Sequence, residues 1–200
     1  MEIIRSIDNP FAPEGGLAVL KGNLAKEGAI VKQSAVPENM KMFKGKAVVF
    51  DSEEDAIEGL IEGRIKDGQV VVLRYEGPKG GPGMRQLQFF MNILCGMERQ
   101  TKVALVTDGR FSGTNWGLFV GHVCPEASEG GNIALIQEGD TIEIDLAKRE
   151  VNLLVAEEEL EARKSRWTPP EPKASGGLLG LYASNSTSAS MHGATIFPIV

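Results

Sequence analysis

An α/β fold follows from three features of the chain. Residues 70–75 (VVVLRY) and 103–107 (VALVT) are short apolar runs rich in branched side chains, the pattern of buried strands. Each runs straight into a glycine-rich stretch, EGPKGGPGM at 76–84 and DGRFSG at 108–113, so the backbone turns where the strand stops. The third feature is a strand, helix, strand order over 46–75, which predicts a parallel crossover.

The remaining elements follow in order. The opening is irregular, with Pro10, Pro13 and Gly15-Gly16, before strands at 17–20 and 29–33. A strand at 46–50 meets Asp51-Ser52, a good helix cap with acidic residues in the next turn. The helix behind it, 53–65, carries Ala56, Ile57, Leu60 and Ile61 at helical spacing, and Asp67-Gly68 ends it. Residues 85–97 read as a helix with a broad apolar face, and 118–123 as another apolar strand. Three short strands are expected at 132–137, 141–146 and 151–155, joined by hairpin-like turns. The charged helix at 156–167 stops at Pro169-Pro170. The expected division is a domain over 1–170 and a tail over 171–200 with one short helix near 178–183.

Composition narrows the function classes. Two hundred residues, 42% hydrophobic and 24% charged, are ample for a single core. A net charge of −6 without a basic cluster argues against nucleic-acid binding. No apolar stretch is long enough for a bilayer, and the N-terminus lacks the pattern of a secretory signal. Two cysteines, Cys95 and Cys124, predict no disulfide framework and a reducing, cytoplasmic setting. With two histidines they are too few for a zinc or iron–sulfur site, so such a cofactor must come from elsewhere.

In open α/β sheets ligands gather at loops beyond the carboxyl ends of strands. The two glycine loops therefore predict one crevice with two walls. EGPKGGPGM lacks the GK[ST] ending of a phosphate loop, and Lys79 falls between its glycines, so a plain turn is the stronger reading. Its glycines still expose backbone N–H groups and admit close approach. Ser112, between Phe111 and Gly113, reads by itself as a turn residue, since no histidine is near and GRFSG is not the GxSxG elbow. His122 and His192 read as structural, Cys95 as core, Cys124 as a residue of a polar turn, and Glu157, Glu158 and Glu159 as a solvated helix face. From the residues alone the chemistry stays open.

Taken together, SIDNPFAPEGGLAVLKGNLA, FDSEEDA, RYEGPKGGPGM, ALVTDGRFSG, VGHVCPEA, GGNIALIQEGDTIEID and RKSRW resemble the C-terminal domain of the dihydroxy-acid and sugar-acid dehydratase family. RYEGPKGGPGM and DGRFSG are more similar to the branched-chain enzymes than to the sugar-acid ones. The resemblance implies a barrel-like swivelling domain of mixed β-sheet with flanking helices. It implies removal of water from 2,3-dihydroxy acids to give 2-keto acids, using an iron–sulfur cluster and Mg²⁺. In the family those metals are held largely by an N-terminal cluster-bearing domain, the implied partner, so the isolated chain is expected to bind no cofactor and to be inactive. A homo-oligomer is compatible with the family; nucleic acid and membrane are not expected partners.

By the same resemblance Ser112 is the catalytic base, and Gly113, Thr114, Gly80, Gly81 and Gly83 line the substrate. Thr114 matches the threonine of sugar-acid members, and Trp116 replaces a smaller histidine or tyrosine. Two departures stand out. The cluster cysteines are missing, and Gln86 occupies the place of the family's magnesium-binding glutamate in GPGMxE. A neutral glutamine oxygen is a poorer ligand for a hard cation. A diverged, non-catalytic domain for small-acid binding or interaction, or a sugar-acid dehydratase domain, is the competing expectation.

Overall fold

A computed structural model describes residues 3–191. Eight strands form one sheet: β1 (Ala18–Leu20), β2 (Gly28–Val31), β3 (Met42–Phe50), β4 (Gln69–Leu73), β5 (Ala104–Thr107), β6 (Phe119–Cys124), β7 (Thr141–Asp145) and β8 (Glu150–Leu153). Their spatial order is β1-β2-β6-β5-β4-β3-β7-β8. The four central strands β3, β4, β5 and β6 are parallel, and the outer pairs are antiparallel. Lys21 then bridges Glu150, its N–H donating to Arg149 O at 2.9 Å while Val151 N–H donates to Lys21 O at 2.8 Å. That contact brings the two sheet edges together, and the sheet becomes a nearly closed barrel. Closure removes the exposed edge that an open sheet would offer.

Alternation along the parallel strands sorts side chains between two cores. Val70, Val72, Ala104 and Val106 face the barrel interior with Leu20, Val31, Ile142 and Val151. Val71, Leu73, Leu105 and Phe119 face outward, where helices α1 (Glu53–Ile61) and α2 (Gln88–Gly96) cover them. Being buried on both faces explains the unbroken apolar runs read in the sequence. Helix α3 (Glu157–Arg166) docks through Leu160, with Glu157, Glu158 and Glu159 exposed at its N-terminal end, where the helix dipole favours them. Helix α4 (Gly177–Asn185) covers the predicted 178–183 and buries none of its residues.

Several boundaries differ from expectation, each for a visible reason. β3 starts four residues earlier than read, because its first half pairs with β7 and its second half with β4. α1 starts on Ser52, whose hydroxyl accepts from Asp55 N–H at 3.1 Å, but stops at Ile61 because Gly63 turns the chain at φ 73°. α2 begins at Gln88 rather than 85, since Leu87 N–H donates to Arg110 O at 3.0 Å and the backbone there is spent on that pairing. The strand expected at 132–137 is a 3-10 turn, Asn132–Leu135. Its carbonyls go to side chains instead of a ladder: Ala134 O and Ile136 O accept from Arg74, and Leu135 O from Arg163. Cys124, read as part of a polar turn, ends β6 and is buried against Ser188. Cys95 is half-buried on α2, and burial raises both thiols.

Phe90 is fully buried where α2 meets the sheet. Phe90→Ala is expected to cost about 3–5 kcal/mol, read as a lower urea midpoint at unchanged slope.

Candidate functional site

The two glycine loops follow β4 and β5, neighbouring parallel strands, so both leave the same end of the barrel. Asp108 is the first residue beyond β5 and is 1% exposed. Its Oδ1 accepts from Glu76 N–H at 3.0 Å, and its Oδ2 from Tyr75 N–H at 3.1 Å and Ala127 N–H at 2.9 Å. One carboxylate thereby ties the loops after β4, β5 and β6 together. Burial pushes Asp108 above the usual carboxylate range, against the pull of those three N–H groups. Gly109 must lack a side chain, because a Cβ there would lie 2.8 Å from that of Glu76.

The first loop is held just as closely. Tyr75 and Met84 bracket it with left-handed backbones, φ 62° and 44°, a strained conformation for side-chain-bearing residues. Glu126, also 1% exposed, accepts from Lys79 N–H at 3.1 Å and Gly80 N–H at 3.0 Å. Gly81 N–H donates to Gly77 O at 2.8 Å, and Gly83 is exposed near Leu179 of α4. Burial lifts Glu126 to about 7 despite its two N–H donors, with neighbouring Asp108 adding to the rise. Glu76, nearly inaccessible as well, takes Lys173 Nζ at 2.8 Å and Arg85 at 3.6 Å. Arg85 also grips both oxygens of Glu54 at 2.6 Å, which holds that carboxyl down at about 2. Residues 169–184 lie across this loop, leaving a cleft of about 520 Å³ whose walls include Tyr75, Lys79, Gly80, Ser128 and Lys173.

Ser112, on the loop after β5, is half-buried and is not among the residues lining that cleft, so the structure does not bring it to the cleft wall formed by Tyr75, Lys79 and Gly80. Its hydroxyl lies 3.0 Å from that of Thr114 and accepts from Thr114 N–H at 3.3 Å, the turn geometry that serine chemistry allows. Gly113 and Thr114 are exposed beside it. The two loops adjoin through Arg110, whose backbone bridges Gln86 and whose guanidinium donates to Met84 O. Gln86 itself is exposed. His122, half-buried with φ 53°, bonds Gly109 O through its N–H; burial, then the charge of Arg110, lowers its imidazole. His192 lies outside the described residues.

Sequence reasoning missed two residues at this turn, one of them brought in from β2. Lys32, just past β2, donates its ammonium to Gly113 O and brings a cation to the serine turn. Asn115 buries an amide nitrogen without a hydrogen-bond partner among the described residues. Neither carries a local signal, because Lys32 arrives from a strand 81 residues away.

The family model for the dihydroxy-acid/6-phosphogluconate dehydratase C-terminal domain matches residues 2–194. The chain belongs to that family. It is 52% identical over 192 residues to a dihydroxy-acid dehydratase of Methanothrix thermoacetophila, covering 96% of this chain and 35% of the relative. It is 53% identical over 189 residues to one of Desulfatibacillum aliphaticivorans, covering 94% and 34%. A third, from Ignicoccus hospitalis, is 52% identical over 193 residues, covering 96% and 35%. The chain thus spans about a third of the length of the curated relatives it matches.

The metals that the family implies do not fit the described residues of this chain. Among the described residues no group of three histidines, cysteines or carboxylates is placed to hold a metal ion. Gln86 offers a neutral amide, and Glu76, Asp108 and Glu126 are spent on lysine, arginine and backbone N–H groups. Among the described residues no helix is long and apolar enough to cross a membrane.

Asp108→Asn would turn an NH₂ toward at least one of three N–H donors at a buried position. Its expected cost is about 2–3 kcal/mol, against less than about 1 kcal/mol for Glu54→Gln at the exposed Arg85 pair, both read from urea denaturation.

Proposed function

We propose that this chain is the substrate-covering, base-supplying domain of an iron–sulfur, magnesium-dependent hydro-lyase that converts 2,3-dihydroxy acids to 2-keto acids in branched-chain amino-acid synthesis. The observation that carries the reading is the Ser112 turn, half-open and braced against the glycine loop. It stands in a chain half identical to proteins named dihydroxy-acid dehydratases. Loss of water breaks the C2–H bond and the C3–O bond, leaving an enol that becomes the 2-keto acid. The base is Ser112 Oγ in its deprotonated form, an alkoxide that a nearby Mg²⁺ would stabilise. It takes the C2 proton and returns to the hydroxyl, the C3 oxygen leaves as hydroxide, and the Thr114 hydroxyl at 3.0 Å steadies the serine oxygen by a hydrogen bond. Gly113 and Thr114 form the substrate wall on the serine side; Gly80, Gly81 and Gly83 form the facing wall. The cluster and Mg²⁺ belong to the N-terminal domain that the remaining two thirds of the relatives supply.

One observation favours a second reading. Gln86 is exposed where the family carries a magnesium-binding glutamate, which suits a diverged domain that binds small acids without turning them over.

The test joins this chain to the N-terminal part of a relative, with the cluster reconstituted, and follows 2-keto acid release from a 2,3-dihydroxy acid. Turnover is expected, with Ser112→Ala lowering kcat by about 10²–10⁴ and leaving KM nearly unchanged. Equal rates with and without the serine hydroxyl would remove its role as base. Turnover appearing only after Gln86→Glu would support the second reading.

A further inference from the structure

Glu126 has a place in the fold that proton abstraction by Ser112 does not use. Two successive N–H groups, those of Lys79 and Gly80, converge on its carboxyl group. Glycine-rich loops present N–H groups in this way to a ligand's phosphate or carboxylate. Here the protein fills the cradle itself, and Gly77 is side-chain-free at the spot where a Cβ would run into the Glu126 carboxyl. The surroundings do not favour a second negative charge. Asp108 faces Glu126 from the loop after β5, with Glu76 packed beyond it. Glu129 stands on the same turn, and the Lys79 ammonium goes to Glu129. From β6 comes the buried Cys124.

We propose that Glu126 is the built-in anion-site occupant of the glycine loop and that its proton is the latch: the shut loop holds Glu126 as the neutral acid, and opening releases that proton to water. The neutral carboxyl still accepts from Lys79 and Gly80, while the charged one gains by reaching water. The sign follows from linkage. In the shut loop the carboxyl sits at about 7, and in water it returns to the ordinary 4.5. The shut form therefore binds the proton more tightly, and opening becomes easier as pH climbs between those values. From pH 6 to pH 8 the ratio of open to shut loop rises about tenfold. Since Met84 and Gln86 join this loop to Arg110, the latch governs how firmly one wall of the crevice stands. None of this requires Ser112 to be catalytic, so it stands or falls separately from the dehydratase reading.

The experiment is amide hydrogen exchange on the 200-residue chain at pH 6 and pH 8, corrected for intrinsic exchange, followed at Lys79, Gly80 and Gly81. Protection should fall about tenfold at the higher pH in the wild type and show no such fall in Glu126→Gln, whose side chain does not ionise. Equal protection at both pH values, or the same fall in Glu126→Gln, would overturn the proposal. A ¹³C titration of the wild-type Glu126 carboxyl decides the matter independently of whether that variant folds. A midpoint near 7 supports the latch, and one near 4.5 overturns it.

Discussion

Three backbone N–H groups from two different loops end on the carboxylate of Asp108, and the working end of the barrel is arranged around that convergence. Parallel strands bring loops to a common end but do not fix how those loops stand against one another. A buried carboxylate with three donors does so, because any loop that moved away would leave a polar group unsatisfied in a dry interior. The left-handed backbone of Tyr75 is held by the same contact, since its N–H is one of the three.

Carboxylates recur at this end of the molecule in an uncommon role. Asp108 and Glu126 are acceptors for backbone N–H groups rather than ligands for metal, and Glu76 is neutralised by Lys173 and Arg85. The chain's acids thus shape loops. That role also gives the glycines a structural reason. The Gly80 N–H is met from within, and Gly109 lets the second loop close against Glu76.

Much of the fold was legible. The doubly buried strands β4 and β5, the Ser52 cap and the charged face of α3 all follow from local pattern, which a nearly closed barrel preserves. What misled was contact from afar. The apolar stretch at 132–137 has the composition of a strand, yet Arg74 and Arg163 claim its carbonyls. Likewise Arg110 draws residues 86–87 out of a helix that their composition would have extended.

By itself, then, the sequence determined the strand-and-glycine-loop pattern, the family and the residues that carry the resemblance, Ser112 above all. These are local or ordered along the chain, where periodicity and motif can be read directly. The tertiary structure decided what meets what: the closure of β1 on β8 through Lys21, the arrival of Lys32 at Gly113, and Glu126 seated in the loop of Lys79 and Gly80. Such pairings join residues tens of positions apart, and burial and hydrogen-bond satisfaction, which have no local signature, select them.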